Sequence, residues 1–94
     1  MSVLDNNQIT QELKQLSGWK LAGEAIERRY EFSDFAAAMV FVNRIAELAE
    51  AANHHPDIDI LYNKVVLSLI SHDSGGVTAR DVKMAYKING LDQG

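Results

Sequence analysis

The segment NHHPDIDILYNKVVLSLISH, residues 53–72, contains the point at which a helix must end and a β-hairpin must begin. Pro56 has no amide hydrogen and biases His55 toward extended backbone, so a helix arriving from the N-terminal side cannot continue past it. The residues that follow are rich in β-branched side chains, which favour strands. A tight turn near Asn63 would fold this segment into a hairpin.

The second half of the hairpin alternates in a way that predicts one face turned toward a core. We expect residues 58–62 and 64–72 to form its two strands. The core-facing side chains are Val65, Leu67 and Leu69, and those on the other face are Val66, Ser68, Ile70 and His72. Because the outer ends of a hairpin meet, His72 at the end of the second strand is expected to return near Pro56.

The segment before the hairpin, SDFAAAMVFVNRIAELAEAAN (residues 33–53), predicts a long amphipathic helix. Ser33 or Asp34 can cap its start, and the chain leaves it near Asn53. Apolar side chains recur at helical period at Phe35, Ala38, Met39, Val42, Ile45, Ala46 and Ala49. This helix would therefore deliver the adjacent histidines to the helix-to-strand junction.

The two ends of the chain add two helices and a second hairpin. A short first helix is predicted by the stripe of Ile9, Leu13 and Leu16, with Gly18 as its stop. Residues 19–32 alternate around a turn at residues 22–24 and predict two strands. A last helix, residues 79–89, would begin with a shortened capping box that Thr78 and Asp81 form.

The predicted elements follow the order α-β-β-α-β-β-α, and each strand pair is close enough in sequence for an antiparallel hairpin. This order favours an α+β fold in which one four-stranded antiparallel sheet carries three helices packed on one face. A chain of 94 residues is short for two independent cores, so residues 1–94 are expected to form a single domain.

Composition excludes several classes of function. The net charge of −4 opposes direct binding to nucleic acid or to an anionic membrane. The absence of cysteine removes disulfides, thiol nucleophiles and thiolate metal ligands, and makes a reducing cytoplasm the expected location. The amino-terminal residues lack a basic segment and a long apolar run, so we expect a protein that is not exported.

All three histidines fall near the helix-to-strand junction, at His54, His55 and His72. Adjacent histidines in extended backbone point to opposite sides, and no HxH or HxxxH pair sets two rings on one face, so this spacing disfavours a metal site. No cysteine and no GxSxG motif is present to supply a nucleophile. Proton transfer remains, because an imidazole can give or take a proton near neutral pH. We expect the three rings to surround one concave cavity that excludes water.

Three carboxylates could orient these imidazoles or bind a polar ligand: Glu50, Asp73 and Asp81. Each also has a purely structural interpretation, because Glu50 suits a solvated helix face, Asp73 suits a turn and Asp81 suits a capping box. Each histidine taken alone is likewise more common as a surface or core residue than as a catalytic one. The residues by themselves leave these alternatives open.

The pieces NHHPD, YNKV and SHDSGGVTARD resemble, in order and spacing, the signature of the pterin-4a-carbinolamine dehydratase family. The resemblance implies an enzyme that removes water from a 4a-hydroxytetrahydropterin, giving the quinonoid dihydropterin and so recycling the cofactor of aromatic amino acid hydroxylases. It implies no metal or organic cofactor. By motif matching, the catalytic residues would be His54, His55 and His72, and the residues lining the pterin pocket Glu50, Asn53, Ser71, Asp73 and Asp81.

The sequence departs from the family pattern at two positions. Ile58 stands where many members carry tryptophan, and Asn53 where animal members carry aspartate. Some members are binding proteins, so the alternative function is a non-catalytic interaction module that acts as a coactivator or an assembly factor. The expected partners are a small pterin and further copies of the chain, in a homodimer or homotetramer, with no direct contact to nucleic acid or membrane.

Overall fold

The computed structural model describes residues 2–93, in which three α-helices and four β-strands follow the predicted order. Their bounds are α1 Asn6–Leu13, β1 Lys20–Ala22, β2 Ala25–Glu31, α2 Phe35–Ala52, β3 Asp57–Leu61, β4 Lys64–Leu69 and α3 Ala79–Gly90. A 3₁₀ turn, Leu91–Gln93, follows α3. Over these residues, no helix has the length and apolar character needed to cross a membrane.

The strands form one antiparallel sheet in the order β1-β2-β4-β3. Strand β4 lies in the middle, with Leu67 opposite Arg28 of β2 and opposite Ile58 of β3. The β3–β4 turn consists of Tyr62 and Asn63, and Tyr62 adopts a left-handed backbone with φ of 57°. The predicted turn near Asn63 is confirmed.

One face of the sheet is covered by the helices, as the alternation in β4 predicts. Val65, Leu67 and Leu69 are fully buried, whereas the residues between them are only half-buried. The helices contribute Ala38, Phe41, Ile45 and Ala49 from α2, and Val82, Met84, Ala85 and Ile88 from α3. The α+β fold, with three helices on a four-stranded antiparallel sheet, is therefore confirmed.

Some details of the predicted helices were wrong. In α2, Phe35 and Ala46 are exposed, and Phe41 is buried instead, because the buried stripe follows a spacing of three and four from Ala38. Helix α1 ends at Leu13 rather than near Gly18, although Leu16 still packs in the core.

Two boundaries near the site also differ from the prediction. Strand β4 ends at Leu69 and does not reach His72, because the backbone then turns and Ser71 forms only an isolated bridge with Gly76. The amides of Ser74 and Gly75 bond back to the Ser71 carbonyl in this turn. Helix α3 includes Gly90, one residue beyond the predicted end.

Gly18 should tolerate no side chain. Its φ of +87° is a left-handed conformation, and a methyl group there would lie 2.5 Å from Nε of Arg28. Arg28 is held in place by an ion pair with Asp92 at 2.9 Å. We expect Gly18→Ala to lower the free energy of unfolding by roughly 1–3 kcal/mol in urea denaturation. Gly23→Ala is the matched control, because Gly23 also has positive φ but faces open space; an equal loss there would contradict the steric explanation.

Candidate active site

The end of α2 places the first two histidines. Asn53 closes the helix in a left-handed conformation (φ 50°, ψ 42°), and its N–H bonds back to carbonyls of the last turn. The amide of His54 also donates to the Ala49 carbonyl, at 3.1 Å. Pro56 is buried, and β3 begins at the next residue. The predicted helix-to-strand junction is therefore confirmed.

The third histidine arrives from the opposite direction. His72 lies in the turn after β4, and its Nε2 is 3.8 Å from an Oδ of Asp57, the first residue of β3. The hairpin thus returns His72 to the Pro56 end of the sheet even though His72 is not part of the strand. This proximity was predicted from the pairing of the two strands.

The three imidazoles line one hollow of about 280 Å³. Its walls are Asn53, His54, His55, Ile70, Ser71, His72, Asp73 and Arg80. The hollow is open rather than water-excluding, since the side chains of His55 and His72 are 54% and 75% exposed. The expectation of a closed cavity was therefore wrong.

A buried carboxylate holds His54 on the inner side of the hollow. Asp81 is fully buried, and its Oδ1 lies 2.6 Å from Nε2 of His54. Its other oxygen accepts hydrogen bonds from the Ser71 hydroxyl and the Thr78 amide, each at 2.9 Å. Because a carboxylate only accepts hydrogen bonds, Nε2 of His54 carries the hydrogen, and Nδ1 is the ring nitrogen left to exchange a proton.

The other two imidazoles have their own carboxylates. Nε2 of His55 lies 2.5 Å from Glu50, which is exposed and stands outside the walls of the hollow. His72 faces Asp57, a residue that is absent from the predicted site. All three histidines are therefore paired with acidic side chains.

Asp73 pairs with an arginine rather than with one of the imidazoles. It bonds to the Arg80 guanidinium at 2.6 Å, and this hydrogen bond holds the pKa of the Asp73 carboxyl below its usual range. Arg80 and Ile70 are wall residues that sequence reasoning missed. Asp73 and Arg80 are seven residues apart across a turn and a helix start, a spacing that carries no recognisable signal.

The remaining predicted residues occupy distinct places. Asn53 lines the hollow, as expected for a polar wall residue. Ser71 is 1% exposed, and its hydroxyl contacts Asp81 and the Thr78 hydroxyl. Ile58 is half-buried against the core and is not part of the hollow.

The arrangement suits movement of protons on a small polar molecule. Among residues 2–93, no group of three His, Asp or Glu side chains converges as a metal site would require. What converges is a set of imidazole–carboxylate pairs, in which each ring can exchange a proton and the acids beside His54 and His55 lie close enough to orient their rings. Fold and site together define an α+β protein with an acid–base hollow at one end of its sheet.

Comparison with known proteins identifies the family. The family model for pterin 4 alpha carbinolamine dehydratase matches residues 2–91, and the chain belongs to this family. A relative from Koribacter versatilis, named "Putative pterin-4-alpha-carbinolamine dehydratase", is 57% identical over 92% of this chain and 92% of its own length. A relative with the same name from Acidobacterium capsulatum is 54% identical over 97% of this chain and 99% of its own.

Solved structures agree on the fold. The crystal structure of a transcriptional coactivator/pterin dehydratase from Brucella melitensis superposes with a TM-score of 0.91 at 37% identity, covering 96% of this chain and 98% of that one. A pterin dehydratase-like protein identified as a RuBisCO assembly factor in the alpha-carboxysome gives a TM-score of 0.68 at 21% identity, over 79% of this chain and 88% of that one. The second likeness shows the fold alone.

Proposed function

We propose that the protein dehydrates 4a-hydroxytetrahydropterin to the quinonoid dihydropterin, and so recycles the pterin cofactor of aromatic amino acid hydroxylases in the cytoplasm. The observation that carries the proposal is the convergence of three imidazoles, each beside a carboxylate, on one hollow. Family membership supports the choice of substrate. A volume of about 280 Å³ and a mixed polar and apolar wall suit a bicyclic ring.

The reaction requires two proton transfers. The bond between C4a and the hydroxyl oxygen breaks, and the hydroxyl leaves as water after it receives a proton from an acid. The N5 proton passes to a base, and its bonding electrons form the new double bond between C4a and N5. A neutral and a protonated imidazole on the same hollow can carry out both steps.

We assign the base to His54. Its hydrogen bond to Asp81 fixes the tautomer and leaves Nδ1 with a lone pair, and the same carboxylate stabilises the imidazolium that forms when Nδ1 takes the N5 proton. His54 is also the most buried of the three rings, with 11% of its side chain exposed. The base is therefore the ring with the least freedom to move.

We assign the acid to His55. Glu50 lies 2.5 Å from Nε2 of His55 and can orient the ring, and exposure to solvent allows the ring to regain a proton from water after each turnover. His72 is held more loosely, with its carboxylate at 3.8 Å. Its role in this scheme is to hydrogen-bond the departing water.

Asp73 is proposed to bind the edge of the pterin that carries the ring N–H and the amino group. It is the one carboxylate among the described wall residues, and its bond to Arg80 keeps it ionised. Two parallel donors match the two oxygens of a carboxylate. Asn53 supplies a further polar contact in the same wall.

The test is the decay of 4a-hydroxytetrahydropterin followed by ultraviolet absorbance. Added protein is expected to accelerate the decay in proportion to its concentration. A decay rate equal to that without protein would contradict the proposed activity.

The alternative function is a non-catalytic interaction module. Exposed apolar side chains at the β3–β4 turn, Leu61 at 60% and Tyr62 at 67%, favour a surface that meets another protein. The name of the Brucella melitensis protein, transcriptional coactivator/pterin dehydratase, combines a binding function with an enzymatic one. A protein partner that binds equally well to the wild type and to His54→Ala, without any acceleration of pterin decay, would favour this alternative.

Self-association is proposed through the same edge. Strand β3 ends the sheet, and its free backbone groups can pair with those of a second copy to extend the sheet. We expect light scattering coupled to gel filtration to give the mass of a dimer or tetramer, and Leu61→Lys to shift it toward the monomer. A monomer at high protein concentration would contradict this proposal.

A further inference from the structure

A second hollow of about 210 Å³ adjoins the histidine hollow. His54 and Arg80 line both, so the two spaces share a wall. The other residues around the second hollow are Ala52, Lys83, Met84 and Lys87. It plays no part in the dehydration scheme above.

Three cationic side chains line the second hollow in an acidic protein, and one of them, Arg80, is already paired with Asp73. Arg80, Lys83 and Lys87 follow one another on α3 at spacings of three and four, which places them on one face of the helix. They are three of the nine lysines and arginines in a chain of net charge −4. No carboxylate lines this hollow, and none of the described acidic side chains forms an ion pair with Lys83 or Lys87.

Two further features separate this cluster from an ordinary solvated helix face. Met84, 1% exposed, forms part of the wall, so the cations border a surface partly withdrawn from water. The Nε of Arg80 is buried and has no hydrogen-bond partner among the described residues. Arg80 already bonds to Asp73 through a terminal nitrogen, so Nε is the part of its guanidinium that is left without an acceptor in the described part of the chain.

We propose that this hollow binds an anionic group of the phosphate type at the end of the substrate's side chain, while the pterin ring occupies the histidine hollow. The inference rests on the proposed function and adds to it the class of side chain. A phosphate suits a guanidinium and two ammonium groups because it carries two negative charges and several acceptor oxygens. His54 and Arg80 border both hollows, so a substrate side chain that passes over these two residues would carry its anionic end from one to the other.

The test compares two product-like ligands that differ only in the end of the side chain, dihydroneopterin and dihydroneopterin phosphate, by calorimetric titration. We expect the wild type to bind the phosphorylated ligand roughly 10-fold more tightly at low salt, and added salt to reduce this preference. The double variant Lys83→Ala/Lys87→Ala should lose most of the preference and keep its affinity for dihydroneopterin.

The matched control is Lys14→Ala/Lys20→Ala, which removes the same charge from lysines that line neither hollow. It should retain the full preference for phosphate. Equal loss in both double variants would overturn the inference in favour of a general charge effect. Equal binding of the two ligands by the wild type would overturn it while leaving the dehydratase proposal intact, whereas failure to bind either ligand would count against the dehydratase proposal itself.

Discussion

His54→Ala is expected to lower kcat/KM for dehydration by roughly 10²- to 10⁴-fold, the usual contribution of a positioned general base. The ring is the most buried of the three, and Asp81 fixes it at 2.6 Å, so no neighbouring group can take its place without rearrangement. The measurement is the rate of 4a-hydroxytetrahydropterin decay at several concentrations of protein and substrate.

A second substitution separates the role of His54 as a base from its role in stabilising the fold. His54→Gln keeps an N–H donor near the position of Nε2, and so keeps the bond to Asp81, but it has no nitrogen that accepts a proton. We expect a loss of activity close to that of His54→Ala with a melting temperature nearer the wild type. Activity within a factor of about two of the wild type in His54→Gln would rule out His54 as the base.

Asp81→Ala is expected to cause the largest loss of stability among single changes at the site. Three donors lose their acceptor at once in a fully buried place: the His54 ring, the Ser71 hydroxyl and the Thr78 amide. Each unsatisfied buried group costs about 1–3 kcal/mol, partly relieved by rearrangement, so the free energy of unfolding should fall by roughly 3 kcal/mol. For a domain of this size, the melting temperature should fall by roughly 12–24 °C.

Asp73→Ala provides the comparison for this prediction. Asp73 also forms a short bond to a neighbour, Arg80 at 2.6 Å, but the pair is exposed to solvent. Its removal should change the melting temperature far less than Asp81→Ala, because exposed ion pairs contribute little to stability. Similar shifts for the two variants in urea and thermal denaturation would show that Asp81 does not have the structural role assigned to it.

Local chemistry explains which parts of the fold were predictable. The alternation of apolar and polar residues around Val65 and Leu67 predicts a strand with one buried face. Pro56 prevents α2 from continuing, and this effect does not depend on the rest of the chain. The capping box of Thr78 and Asp81 is also local, since its two bonds span three residues. These features depend only on neighbouring residues, so they could be inferred before any tertiary arrangement was known.

The errors arise at turns and at contacts between segments, which the pattern of neighbouring residues does not determine. The pairing of Asp73 with Arg80 depends on how the turn after β4 meets the start of α3, and that of His72 with Asp57 depends on where the hairpin ends meet. The strand was predicted to reach His72 because Ile70 and His72 continue its alternation, but turn bonds to Ser71 replace the ladder there. The hollow is open because of how the helices, strands and turns around it pack together, and the periodicity of apolar residues in the sequence contains no information about that packing.

The two oxygens of the Asp81 carboxylate accept hydrogen bonds from different parts of the protein. Its Oδ2 accepts a hydrogen bond from the amide of Thr78, the residue that caps the start of α3. Its Oδ1 accepts one from the ring of His54, which lies 27 residues earlier in the chain. Fraying of the first turn of α3 would therefore release the imidazole as well. We therefore expect heating that opens the first turn of α3 to lower the rate of dehydration before the sheet unfolds.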